Sequence, residues 1–284
     1  MRKANLAITN RCNLNCSMCD IWKEMPKIDL SLDAVSKIVK SLPDNSDLTI
    51  TGGEPFMHPQ FDAIVEKVLP YLRTVSTNGV ITEKIVEFVR NYYSRLADFS
   101  LHISIDGIHM HDVQRGKSLQ NILKTIRLLR QEFPSLRIKI KFTITSQNIQ
   151  DIIPTYEFCM QNNLEFKPKI AEYAPNYTNR VDRRDFNFSK SQKEEIVYAL
   201  ARIPGKFVQD TIDFLNCKHE RKCAAPSSRL FVIPNGDVYS CIHFPKIGNI
   251  YEQSLDEIWK SELAEDIRNK IKEGCNRCIA YHGS

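Results

Sequence analysis

Strand-like and helix-like stretches alternate through the first 202 residues, and that alternation restricts the fold more than any other feature. The strand patterns are Lys3–Thr9, Asp47–Thr51, Leu72–Thr77, Asp98–Ile105, Arg137–Ile144 and Leu164–Ala171. Helical patterns lie near 31–42, 59–70, 82–93, 118–132, 149–162 and 190–202. β-then-α units in series predict a parallel sheet with right-handed crossovers. Alternation within the strands predicts its shape. Leu101, Ile103 and Ile105 oppose His102, Ser104 and Asp106; Ile138, Ile140, Phe142 and Ile144 oppose Lys139, Lys141, Thr143 and Thr145. A flat sheet covered by helices on both faces would carry continuous apolar runs. One polar face per strand predicts instead an α/β fold, a curved, partial (β/α)6 TIM-like barrel with a polar lumen and its site at the C-terminal strand ends.

The pattern changes after residue 205, which predicts a barrel over 1–205 and a smaller unit over 206–284. "RLFVIPNGDVYSC" (229–241) reads as a hairpin about Asn235-Gly236. A helix near 254–272 is opened by the Ser254/Glu257 capping box.

Nine cysteines in 284 residues demand an explanation. No apolar run is long enough to span a bilayer and no secretion signal is evident, so a cytoplasmic location without disulfides is expected. Cys159 alone sits in an apolar helical stretch and reads as core. The others gather in two sets: Cys12, Cys16 and Cys19, then Cys217, Cys223, Cys241, Cys275 and Cys278. Such sets read as metal sites. A net charge of +5, with only the small clusters 180–186 and 218–222, does not point to nucleic acid. Three local thiolates leave either a zinc shell to be closed by a remote residue or a [4Fe–4S] cluster with one open iron.

Cys12-x3-Cys16-x2-Cys19 after a first strand resembles the signature of radical S-adenosylmethionine (radical SAM) enzymes. Other motifs of that superfamily follow in order: "TGGEP" (51–55), "STNG" (76–79), "SIDG" (104–107) and "QRG" (114–116). The resemblance implies that S-adenosylmethionine binds the open iron and that the reduced cluster cleaves it to a 5′-deoxyadenosyl radical. It also implies cofactor contacts. Gly52, Gly53 and Glu54 would meet the methionine amino group, Asn78 the cofactor, Ser104 and Asp106 the ribose hydroxyls, and Arg115 the methionine carboxylate. One departure is Met18, where the superfamily usually has an aromatic residue.

Cys223, Gly236, Cys241, then Cys275-x2-Cys278 resemble the twitch extension, the shortened SPASM domain. This implies one auxiliary [4Fe–4S] cluster held by Cys223, Cys241, Cys275 and Cys278, two clusters in all, and a flavodoxin or ferredoxin as reductant. Cys217 is either a further ligand or a free thiol, and a four-cysteine zinc site fits the same spacing. In such enzymes the auxiliary cluster accepts an electron, which implies two-electron oxidation of a small metabolite. His243 is the candidate base. Sulfatase-maturing relatives carry Asp where this chain has Ile242. The alternatives are a peptide maturase that cross-links or epimerises, and a zinc-stabilised binding module without catalysis. No membrane partner is expected. Lys169, with Lys141, is expected to hold a substrate carboxylate or phosphate, because a desolvated lysine needs an anionic partner.

Overall fold

A computed structural model describes residues 3–178, 187–217, 223, 228–273, 275 and 278. The basic clusters 180–186 and 218–222 lie outside the described residues. Six parallel strands follow the sequence pattern closely: β1 Lys3–Ala7, β2 Asp47–Thr51, β3 Leu72–Thr77, β4 Ser100–Ser104, β5 Arg137–Ile144 and β6 Glu165–Ile170. Between and after them run α1 Leu32–Lys40, α2 Phe61–Val68, α3 Thr82–Tyr92, α4 His111–Arg115, α5 Leu119–Glu132, α6 Ile152–Gln161 and α7 Lys190–Leu200. The fold is the expected partial TIM-like barrel. Apolar alternates of the strands point outward under the helices: Leu6, Ile50, Val75, Leu101 and Ile140 are all fully buried. Each such side chain contributes about 1.5–3 kcal/mol of burial. Cys159, in α6, is fully buried too.

The sheet does not close. Its order is β6-β5-β4-β3-β2-β1-β7-β8-β9, with β7 Arg229–Val232, β8 Asp237–Tyr239 and β9 Gly248–Asn249. β7 and β8 form the expected hairpin, but β7 also pairs in parallel with β1, Lys3 opposite Arg229. The C-terminal segment therefore continues the barrel wall beyond β1.

Two expectations change. Residues 254–272 form two helices, α9 Leu255–Lys260 and α10 Glu262–Lys272. Ser261 is extended (φ −63°, ψ 149°) and its Oγ accepts from Ala264 N, so a second cap interrupts the run. A further helix, α8 Lys206–Leu215, was hidden behind Gly205; it buries Val208, Ile212 and Leu215. Among the described residues no helix is long and apolar enough to cross a membrane.

Candidate functional site

The cysteine loop leaves β1 and is fastened on several sides. Arg11 Nε pairs with Asp29, and the Asn10 side chain bridges Pro26 O and Ile28 N. Gly53 N donates to Thr9 O and Glu54 N to Arg11 O, both at 2.7 Å. Ser17 N donates to Gln114 O, Asp20 N to Thr178 O, and Trp22 Nε1 to Cys16 O. The loop thus delivers Cys12, Cys16 and Cys19 together to one cavity of about 550 Å³ in the barrel mouth and lumen. Burial raises all three thiols, Cys12 to about 11 and Cys19 to about 12, and each also feels its neighbours' charge. Bound metal reverses that preference, because a coordinated thiol is deprotonated outright. Three converging soft donors fit an iron–sulfur cluster.

Gly53 shows why the loop needs glycine. A Cβ there would lie 2.3 Å from Arg11 O and 2.8 Å from Arg11 C, both backbone atoms that cannot step aside. Gly52 approaches Thr9 O in the same way. Gly53→Ala is expected to cost about 1–3 kcal/mol by overpacking and to lower the iron retained after desalting. Unchanged denaturant midpoint and iron content would show that the Thr9–Cys12 segment yields freely.

Gly52, Gly53, Asn78, Ser104 and Arg115 all line the cavity, as does Met18. Glu54 and Asp106 are fully buried and do not. Both carboxylates have partners within the protein. Glu54 accepts from Phe56 N, Thr77 Oγ1 and Asn78 N, clamping the ends of β2 and β3; burial raises its carboxyl to about 7. Asp106 accepts from Thr143 N at 2.7 Å and from Arg115 Nε at 2.5 Å. Burial opposes the charge of Arg115, yet Asp106 and the neighbouring sulfurs outweigh it and hold the guanidinium above its usual range. Arg115 Nη1 lies 3.8 Å from Cys16 Sγ.

Lys169 is not free: its ammonium pairs with Glu172, three residues on. The internal pair removes the reason for assigning it a substrate anion. Lys141 does face the cavity. His243, the candidate base, does not itself line the cavity. It is 6% exposed and stands behind Glu172, its Nε2 3.0 Å from Glu172 Oε2. Glu172 itself lines the cavity, and against the effect of burial Lys169 holds its carboxyl at about 2.

At the second sulfur set, Cys241 is buried and feels the charges of Cys223 and Cys275. Ligand atoms of Glu172, His243 and Cys278 lie within 4.8 Å of one another. This donor set also fits a metal cluster. Cys217 is exposed after α8 with φ +55°. The sequence reading missed the segment after β6, where Glu172, Ala174 and Tyr177 cover the cavity. That segment has no helical or strand period to reveal it; only its aromatic and acidic residues were available as signals. Trp22, in a short turn after the cysteine loop, and Phe207, on α8, were missed too.

Comparison with known proteins agrees with this geometry. The model of the Radical SAM superfamily matches residues 6–159, and that of an iron–sulfur cluster-binding domain, SPASM, matches 223–279. The antilisterial bacteriocin subtilosin biosynthesis protein AlbA of Bacillus subtilis is 26% identical over 280 residues, covering 93% of this chain and 60% of AlbA. The tungsten-containing aldehyde ferredoxin oxidoreductase cofactor-modifying protein of Pyrococcus furiosus is 23% identical, covering 98% of this chain and 87% of its own length. Streptococcus suis SuiB, solved with S-adenosylmethionine, superposes with a TM-score of 0.71 at 18% identity, over 94% of this chain and 67% of SuiB.

Proposed function

Because the chain belongs to the radical SAM superfamily, whose members are enzymes using S-adenosylmethionine and iron–sulfur chemistry, we propose that it oxidises a substrate carbon by hydrogen abstraction inside the barrel. The observation that supports this is that the first sulfur set lines the cavity, while two cysteines of the second stand next to residues that line it. Cys12, Cys16 and Cys19 line it on one side; Glu172 and Ile242, beside Cys278 and Cys241, line it on another.

Cys12, Cys16 and Cys19 would hold a [4Fe–4S] cluster, which when reduced cleaves S-adenosylmethionine to the abstracting radical. Gly52, Gly53, Asn78 and Met18 line the cavity near the cysteine loop and would face the cofactor. Asp106 occupies Arg115 Nε and orients the guanidinium, whose outer nitrogen would meet the methionine carboxylate of bound S-adenosylmethionine. The covering segment with Tyr177 limits water at the reacting carbon. Cys223, Cys241, Cys275 and Cys278 would hold a second cluster that takes the electron while a base takes the proton, making the net change two-electron, with a flavodoxin or ferredoxin reducing the first cluster. Glu172 stands at the wall between the two sets, with His243 behind it.

A small metabolite and a peptide are both compatible with this chemistry. The likeness to AlbA, a protein named for bacteriocin biosynthesis, favours a peptide reading. This chain spans about 60% of AlbA's length.

Cys241→Ala tests the electron-acceptor role. Its holoenzyme is expected to lose product formation, by at least tenfold, while still releasing 5′-deoxyadenosine in the presence of substrate. Normal product yield with normal 5′-deoxyadenosine would make the second set structural only. Because a cluster there also ties down the chain end, circular dichroism should accompany the assay.

A further inference from the structure

Four cations of the lumen have a carboxylate of their own. Arg73 faces Asp47, Arg115 faces Asp106, Lys139 faces Glu165 at 2.8 Å, and Lys169 faces Glu172. Lys141 and Lys167 have none among the described residues. They are direct cross-strand partners in the β5–β6 register, so their stems rise side by side from adjacent strands about 4.8 Å apart. Like charges in that position repel. Ser104 is the partner of Lys141 on its other side and also lines the cavity. Phe207 bounds the pair, with the Lys167 ammonium 5.5 Å from its ring centroid.

From this arrangement we propose that Lys141, Lys167 and Ser104 form a subsite for a substrate oxyanion, phosphate or carboxylate, held below the cysteine loop against β5 and β6. The proposal rests on the reading of the lumen as the substrate chamber. Two adjacent ammoniums and a hydroxyl can donate to separate oxygens of one tetrahedral or planar anion, and that anion cancels the repulsion between them. The surroundings already register the imbalance. Burial and then Lys169, Lys167 and Arg115 push Lys141 down to about 7. His102, one step lower on β4, is pushed to about 2 by burial and then by Lys141, Lys167 and Lys139. Lys169 could not serve, being held by Glu172. A substrate anchored here would reach upward, placing its reacting carbon between the subsite and Cys12, Cys16 and Cys19.

The test uses holoenzyme saturated with S-adenosylmethionine, so that Arg115 is engaged, titrated calorimetrically with inorganic phosphate and separately with acetate. Saturable binding of at least one probe is expected, weakened tenfold or more in Lys141→Met and in Lys167→Met. Lys139→Met, which removes an already paired lumen charge, should change it less than twofold. Preference for phosphate or for acetate tells which anion the site is built for. Absence of saturable binding, or equal loss in all three variants, overturns the proposal. A wild-type measurement guards against unfolded variants: the preferred probe should slow labelling of Lys141 and Lys167 by acetic anhydride, read by peptide mass spectrometry, and unchanged labelling also overturns it. Uncoupled cleavage of S-adenosylmethionine in the same samples reports on the radical SAM reading independently of either outcome.

Discussion

The protein carrying Cys12→Ala, Cys16→Ala and Cys19→Ala together is expected to retain about four of about eight iron atoms after anaerobic reconstitution and to cleave no S-adenosylmethionine. The thiols cannot substitute for one another here. The loop that carries them is fixed at Gly53, Glu54, Gln114 and Thr178, so no other cysteine can move into a vacated position. Cys241 and Cys278 lie at the far wall beside Glu172, committed to the second set. The loss should therefore be complete for cleavage and partial for iron. Cleavage surviving in the triple variant would remove the basis of the functional reading. Loss of all the iron would instead show that the two sets are not independent. That result has a structural route, since β7 is hydrogen-bonded directly to β1, the strand that launches the cysteine loop.

The barrel was legible because its strands obey one rule. Each apolar residue on β4 and β5 faces helices and each polar one faces the lumen, so a period of two carries both the register and the curvature. The cysteine sets were legible as spacing, for thiolates have few structural uses when clustered. What no local period shows is which partner each carboxylate and ammonium takes. Asp106 and Lys169 lie where alternation places a polar residue and Glu54 where the "TGGEP" motif places it, and each has a protein partner. Glu54 meets Asn78 from a different strand end, and Asp106 meets Arg115 on α4 and Thr143 on β5. Such pairings depend on how the loops cross the mouth, which no local period encodes. Lys169 was paired three residues downstream, within reach only because the chain turns over the cavity after β6. The same turn concealed Tyr177, whose phenol burial raises well above its ordinary range and whose ring packs edge-on against Phe231 at 4.7 Å.

Asp106→Asn is the sharpest test of that buried pairing. The substitution keeps an oxygen for Thr143 N but replaces the charge facing Arg115 Nε with a neutral amide. Arg115 is then a cation in a largely desolvated position, and removing one partner of a buried ion pair costs about 3–5 kcal/mol. The lower end of that range is expected, because Cys16 Sγ, 3.8 Å from Nη1, still offers partial compensation. Denaturant unfolding under anaerobic conditions measures the loss. S-adenosylmethionine should return more stability to the variant than to the wild type, since its carboxylate would supply the missing negative charge. Adding Arg115→Met to Asp106→Asn should recover part of the stability without recovering cleavage, a non-additivity that separates the pair's electrostatics from a general disturbance of the strand end. If Asp106→Asn loses less than about 1 kcal/mol and the double variant behaves additively, the pair is behaving as a solvated contact. Arg115 would then be oriented by something other than Asp106.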